Sequence, residues 1–378
     1  MKRRVVFAWM LVSALAVVVP RVWAQQPPQT DPPRGMFTQD VVMSWDRSSI
    51  PADIELWAPR TLLAYDTDLS KRYGELYMVC ASATDTSTGR CPVEDMLAAL
   101  AYQTTPISIR FEDARTGLVI NADATAALYR AESSIACSLD YWAPGTFGIS
   151  SSVSPTCDPV PAGTGKSLAL RAADLSKLTA GHWKGTLELR LRRPPAEHLA
   201  TYVFNFDFTV TDYDAVSIYL PAFEYGNAHV NLDLRYDPIG KMIGGRKDVD
   251  MCLYDGVGSS SEYLGVTVRD ASPRPPGGDG FSVWHPDTTG DESERVDFDV
   301  LLDYAGNKRR MRNGVEEQLH GVDSTALRLV KLPKLDQPVY CVPTPLTLLT
   351  PQFPSSSKRQ GVYNGELKVE LRVPTARP

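Results

Sequence analysis

Histidine is scarce in this chain: His182, His198, His229, His285 and His320 are scattered, with no HExxH pair and no partner at metal-ligand spacing. There is no GxSxG elbow and no CxxC pair. These absences leave no zinc site and no serine-hydrolase site, and no cofactor is implied. Gly163-Thr164-Gly165-Lys166-Ser167 has the end of a phosphate-binding loop but not its first glycine, because Val160 stands five residues before Gly165. It reads as a turn before a strand. Asp and Glu are abundant, yet nothing marks two of them as a poised glycosidase pair, so an exported carbohydrate-active enzyme stays a minor alternative. After the N-terminus no stretch is long and apolar enough to cross a bilayer.

The N-terminus itself reads as a secretory signal over residues 1–24. Lys2, Arg3 and Arg4 precede an apolar core of about 15 residues, Val5 to Val19, and Val22-Trp23-Ala24 fits a cleavage site. Loss of Lys2, Arg3, Arg4 and Arg21 takes the formal charge from −6 to −10, which argues against a general nucleic-acid binder. About 354 residues remain, too many for one ordinary sandwich and enough for two domains.

Six cysteines remain: Cys80, Cys91, Cys137, Cys157, Cys252 and Cys341. An even count in an exported chain reads as three disulfides, with fifteen pairings open to sequence alone. Short-loop pairing favours Cys80–Cys91 and Cys137–Cys157, leaving Cys252–Cys341; in the chain-entropy model the short loops contribute roughly 3 kcal/mol each and the long one roughly 4 to 5.

Residues 25–36 form a Pro-rich leader without apolar pattern, read as flexible. Beyond it the apolar residues repeat with period two. Tyr202, Phe204, Phe206, Phe208 and Val210 alternate with polar residues, as do Leu187, Leu189 and Leu191, and a Pro-containing loop joins the two runs as a hairpin. A polar break at 211–214 serves as linker between residues 37–210 and residues 215–378. Further strands are expected at Val216–Leu220, Val230–Leu234, Val249–Tyr254, Tyr263–Val268, Val296–Leu302, Leu327–Leu332 and Leu367–Val373. Helix is confined to single turns, at Val93–Ala101 or Ala172–Leu178. The fold class is all-β, with two immunoglobulin-like sandwiches in tandem.

Three basic clusters stand out against the acidic chain: Lys71-Arg72, Arg190 with Arg192-Arg193, and Lys308-Arg309-Arg310 with Arg312. Each is a solvated face or a site for an anionic group such as a carboxylate or sulfate, to which arginine's planar fork is suited.

Val249-Asp250-Met251-Cys252-Leu253-Tyr254-Asp255-Gly256 closely resembles the corresponding stretch of the CfaE/CblD family, the tip subunits of colonization-factor and cable pili. Ser217–Phe223 and His229–Arg235 are similar to the first two strands of that family's pilin domain, and Pro338–Pro343 to its late cysteine segment. In the first half the spacing of Cys80 and Cys91-Pro92 is similar, as is the run from Ala172 through Gly181 and Trp183 to Arg193. The resemblance implies a receptor-binding N-terminal domain and a pilin domain lacking its last strand, with the same three disulfides. It implies partners too: a periplasmic chaperone, an outer-membrane usher, a major pilin and a host glycan or glycoprotein. The strand-accepting groove is expected along Val216, Ile218 and Leu220 and along Leu367, Val369, Leu371 and Val373. The prolines of the leader suit it poorly to donate a strand in turn, which implies a terminal place in the fibre. The family's receptor arginines match Arg192 and Arg193, with Arg190, Lys71 and Arg72 as neighbouring candidates. A third family arginine falls at Pro194 and a fourth at Glu75, so only part of that cluster is kept.

Overall fold

The alternating run from Tyr202 to Val210 lies within a strand of 15 residues that pairs along its length with the Leu187–Leu191 run, placing both sets of apolar side chains inside. The computed structural model describes residues 25–374 apart from 98–102, 136–138, 154–155, 157–159, 224–227, 279, 334 and 336. Cys137, Cys157, the signal segment and the end of the Val93–Ala101 stretch therefore lie outside the described residues.

The first half holds β1 (Gly35–Asp46), β2 (Ile54–Tyr65), β3 (Tyr77–Cys80), β4 (Thr105–Asp113), β5 (Val119–Ala131), β6 (Gly163–Leu170), β7 (Gly181–Arg193) and β8 (Glu197–Thr211). They form one sheet in the order β1-β8-β7-β4-β5-β6-β2, with β3 also on β7. The sheet rolls until its ends face each other: Trp57 on β2 sits edge-on against Tyr202 and Phe204 on β8, with ring centroids 5.0 and 5.2 Å apart. The core between the layers is drawn from residues 41 to 210. Among the described residues of this half α-helix is a single turn, α1 (Ala172–Leu175).

The second half holds β9 (Ser217–Tyr219), β10 (Leu234–Asp237), β11 (Met242–Val249), β12 (Cys252–Tyr254), β13 (Tyr263–Asp270), β14 (Phe281–Trp284), β15 (Arg295–Tyr304), β16 (Asn307–Arg310), β17 (Glu316–His320), β18 (Arg328–Val330), β19 (Val339–Pro343), β20 (Leu346–Pro354) and β21 (Leu367–Arg372). The order β10-β11-β20-β15-β14 makes one layer; β18-β19-β12-β9 and β17-β13-β21 make the other. A separate core fills the space between them.

Several expectations change. The leader is packed down: Thr30 exchanges two backbone hydrogen bonds of 2.9 Å with Tyr65, the Tyr73 hydroxyl donates to Asp31 at 2.6 Å, and Pro27 and Pro32 are buried. Its prolines suit a segment held by side chains more than by a ladder. Gly163–Ser167 is no turn but the start of β6, and glycine is needed there because a Cβ on Gly165 would stand 2.7 Å from the Trp142 ring. The Val249–Tyr254 run splits between β11 and β12. Of Val230–Leu234 only Leu234 is in a strand, since Asp233 takes φ 53° and donates its N–H to the Asn231 side chain at 2.9 Å. That local turn outcompetes the ladder.

The two halves meet closely. Ala180 packs with Cys252, Tyr254, Val339 and Cys341, and Gly258, at φ +70°, leaves no room for a Cβ beside the backbone of Ala180 and Gly181. Arg115 donates to the carbonyls of Val322 and Thr325 at 3.3 and 2.7 Å. The linker segment is pinned as well. Asp46 accepts from the Thr211 hydroxyl at 2.7 Å and the Tyr213 N–H at 3.2 Å, while Arg47 pairs with Asp212 at 3.3 Å. Burial opposes the charge on Asp46, but hydrogen bonds from Ser48, Thr211 and Tyr213 prevail and hold its carboxyl at about 2.

Candidate functional site

Two of the basic clusters, about 120 residues apart in sequence, meet at the free end of the β7–β8 hairpin. Antiparallel pairing sets Tyr77 of β3 beside Arg192 of β7, and this brings the 3-10 turns Leu69–Lys71 and Tyr73–Glu75 against the hairpin loop. Arg72 donates to the Pro194 carbonyl at 3.2 Å and Arg193 to the Lys71 carbonyl at 3.3 Å, so each cluster holds the other's backbone. Arg190 lies further down β7, paired with Glu188 at 2.8 Å.

Most of the charge in this patch is already matched. Lys71 pairs with Asp66 at 2.5 Å, Arg72 with Glu75, and Arg193 and Arg34 with Glu197 at 2.5 and 3.5 Å. The hydrogen bond from Lys71 lowers Asp66 and that from Arg193 lowers Glu197, while Asp66 raises Lys71 and Glu75 raises Arg72. Glu75 thus neutralises a neighbour. Arg192 differs. It has no carboxylate partner among the described residues; its Nη1 reaches the Val93 carbonyl at 3.5 Å, Tyr77 stands beside it, and its buried Nε lacks an acceptor. The patch's uncompensated positive charge therefore sits on Arg192.

Beneath it lies a residue that the sequence pattern does not reveal. Arg130 is wholly buried and donates to the Leu76 carbonyl at 2.8 Å, to the Ser151 carbonyl at 2.6 Å and to the Thr164 hydroxyl at 2.6 Å. Thr164 in turn donates to the Tyr73 carbonyl at 2.7 Å. Burial pulls the guanidinium down to about 9. No periodicity marks such a residue, because its partners come from three other segments. Arg130→Met should orphan three acceptors at about 1–3 kcal/mol each, lowering the urea midpoint of the N-terminal domain and loosening the segment that carries Arg72.

In the second half, among the described residues, β9 pairs only with β12 and β21 only with β13. Ile218, Leu220, Leu367, Val369, Leu371 and Val373 are all half-buried, packed against the core from these two edges. Val230 and Leu232 also pack against this core, where alternation alone marks them only as part of a strand. Val216 sits apart, at the domain joint against Gly256. The third basic cluster is ion-paired in part: Arg309 with Glu317 and Arg310 with Asp299, each at 2.5 Å. Disulfides join Cys80 to Cys91 and Cys252 to Cys341. Among the described residues no group of three or more His, Cys, Asp or Glu is placed to hold a metal ion.

The chain is similar to known proteins along most of its length. CfaE of Escherichia coli, a CFA/I fimbrial subunit, is 26% identical over 306 residues, 79% of this chain and 80% of the relative. The crystal structure of CfaE, the adhesive subunit of CFA/I fimbria of enterotoxigenic Escherichia coli, superposes with TM-score 0.69 at 24% identity, covering 93% of this chain and 95% of that one. A chaperone–tip adhesin complex of CFA/I fimbriae biogenesis superposes with TM-score 0.66 at 23% identity over 93% of this chain and 99% of that one. Residues 20–213 match the family model for the first domain of CfaE, the CFA/I fimbrial protein, and residues 216–375 that for its second domain. Matched by both domains in order, each a β-sandwich with its own core, the chain belongs to the CfaE family of CFA/I fimbrial subunits.

Proposed function

We propose that this chain is the non-enzymatic tip subunit of a chaperone–usher pilus, exported to the cell surface, with an N-terminal domain that adheres to a host glycan or glycoprotein and a C-terminal domain that accepts a strand. The observation that carries the reading is the half-buried apolar row between the free edges of β9 and β21. A row of that kind is completed by an extended segment whose alternate side chains fill it. The periplasmic chaperone supplies that segment first and the major pilin replaces it at the outer-membrane usher. The leader supports a terminal place, since its residues are engaged with Tyr65, Tyr73 and Glu197 of the same chain.

Receptor binding centres on Arg192, the one cation of the patch without a carboxylate among the described residues, with Arg193 as neighbour. Replacing Arg192 and Arg193 together by alanine should weaken adhesion to mucin or cells by at least about tenfold, as loss of one charged hydrogen bond already would, with secretion unchanged. Undiminished adhesion would refute the assignment. The pairing of Lys71, Arg72, Arg193 and Arg34 with carboxylates favours a second reading, an assembly initiator without a receptor. Silence of the full chain on glycan and mucin arrays would select it.

A further inference from the structure

Lys166 has no part in either site above. It projects inward from β6 and is 5% exposed. Among the described residues its ammonium has neither a carboxylate nor a hydrogen-bond acceptor; its neighbours are ring faces. Nζ lies 3.5 Å from the centroid of the Trp57 ring and 4.0 Å from that of Tyr202. Tyr202 is also stacked on Phe37 of β1 at 5.4 Å and touches Trp57 of β2 at 5.0 Å. Because β1 and β2 are the two ends of the rolled sheet, the amine lies at the seam where that sheet closes on itself. Among the described residues the outer edges of both strands are unpaired there, apart from the Thr30–Tyr65 bridge. Phe37 is 43% exposed and Met36 73%.

An ammonium largely withdrawn from water and without a protein acceptor is poorly compensated. Two ring faces attract it but accept none of its N–H groups as a carboxylate oxygen does. Burial pulls Lys166 down to about 7, and the rings act in the opposite sense. Burial also pushes the Tyr202 hydroxyl up to about 12, so it remains a donor. An anion reaching the seam would find a cation and a hydroxyl donor between aromatic surfaces, one of them continuing outward as Phe37. Tyr202 is four residues along β8 from His198, the register partner of Arg192, a distance of about 13 Å. The seam is thus separate from the hairpin patch.

We propose that Lys166, Trp57, Tyr202 and Phe37 form a subsite for an acidic saccharide, the ammonium taking its carboxylate or sulfate and the rings the C–H face of the sugar. This rests on the reading of the N-terminal domain as receptor-binding. The test uses the full chain labelled with 5-fluorotryptophan, its Trp57 fluorine resonance assigned with Trp57→Phe. Methyl β-glucuronide, methyl β-glucoside and inorganic sulfate are titrated in turn. The glucuronide should move the Trp57 resonance, with the glucoside weaker by about tenfold or more, the value of a charged hydrogen bond. Lys166→Met, which keeps the stem and removes the charge, and Lys166→Gln as a second variant, should lose that response; Arg192→Ala/Arg193→Ala should keep it. A Trp57 resonance unmoved by the glucuronide, or an unchanged response in both Lys166 variants, overturns the subsite. Sulfate binding as tightly as the glucuronide overturns the saccharide assignment. Mucin adhesion measured alongside separates the two levels: adhesion that persists while Trp57 is silent sinks the subsite alone, whereas a wild-type chain that does not adhere sinks the receptor reading beneath it.

Discussion

An alternating apolar strand fused through a flexible linker after Pro378 raises the melting temperature of the C-terminal domain by about 10 °C or more. The edges that would receive it are specific. On one side Leu367, Val369 and Leu371 belong to β21, whose partner among the described residues is β13, with Val369 opposite Val268. On the other Ile218 belongs to β9, whose partner among the described residues is β12. Four or five apolar side chains entering between them would each contribute about 1.5–3 kcal/mol before ordering costs. A surplus of only a few kcal/mol is a large share of an ordinary domain's stability, and each kcal/mol moves the midpoint by about 2–4 °C at this size. Calorimetry of the full chain with and without the fused strand decides the matter. If the unfused chain already melts at the same temperature, the domain is complete and the strand-accepting reading fails.

The second large effect is expected at the long disulfide. Cys252 and Cys341 are fully buried and close a loop of sequence separation 89, joining β12 to β19 within the sheet that ends at β9. Replacing both by serine should cost roughly 4–5 kcal/mol in the chain-entropy model, with buried hydroxyls adding to the loss. Cys80 and Cys91, only 11 residues apart, should cost roughly 3 kcal/mol. Urea denaturation of the two serine pairs, read by domain-specific tryptophan signals, should rank them in that order. A C-terminal domain as stable without its bridge as with it would contradict the argument from loop closure.

Much of this architecture is legible in residue order. β8, β13, β15 and β21 are recognisable because one face of each is apolar and the other is not. β1 escapes notice for the complementary reason: from Gly35 to Asp40 both faces are exposed, so nothing alternates. The leader reads as flexible because its anchors, Tyr65 and Tyr73, lie some 40 residues away. The candidate residues Lys71, Arg72, Arg192 and Arg193 are each visible as charge runs, but their meeting depends on the β3–β7 register, which no local pattern encodes. Lys166 reads as part of a turn, since the rings that surround it belong to β2 and β8.

The direction of β1 has a consequence for the fibre. It runs parallel to β8, with Gly35 beside Ala200 and Asp46 beside Thr211. Asp46 is therefore at the junction with the second domain, and the chain ahead of Gly35 emerges about 40 Å away, at the opposite pole. A protein that extends a polymer must hand its leading segment across a neighbouring boundary. In this chain that segment leaves from the distal pole and is fastened there by Tyr65, Tyr73 and Glu197. The polarity of one strand pair thus sets the leading segment at the pole away from the second domain.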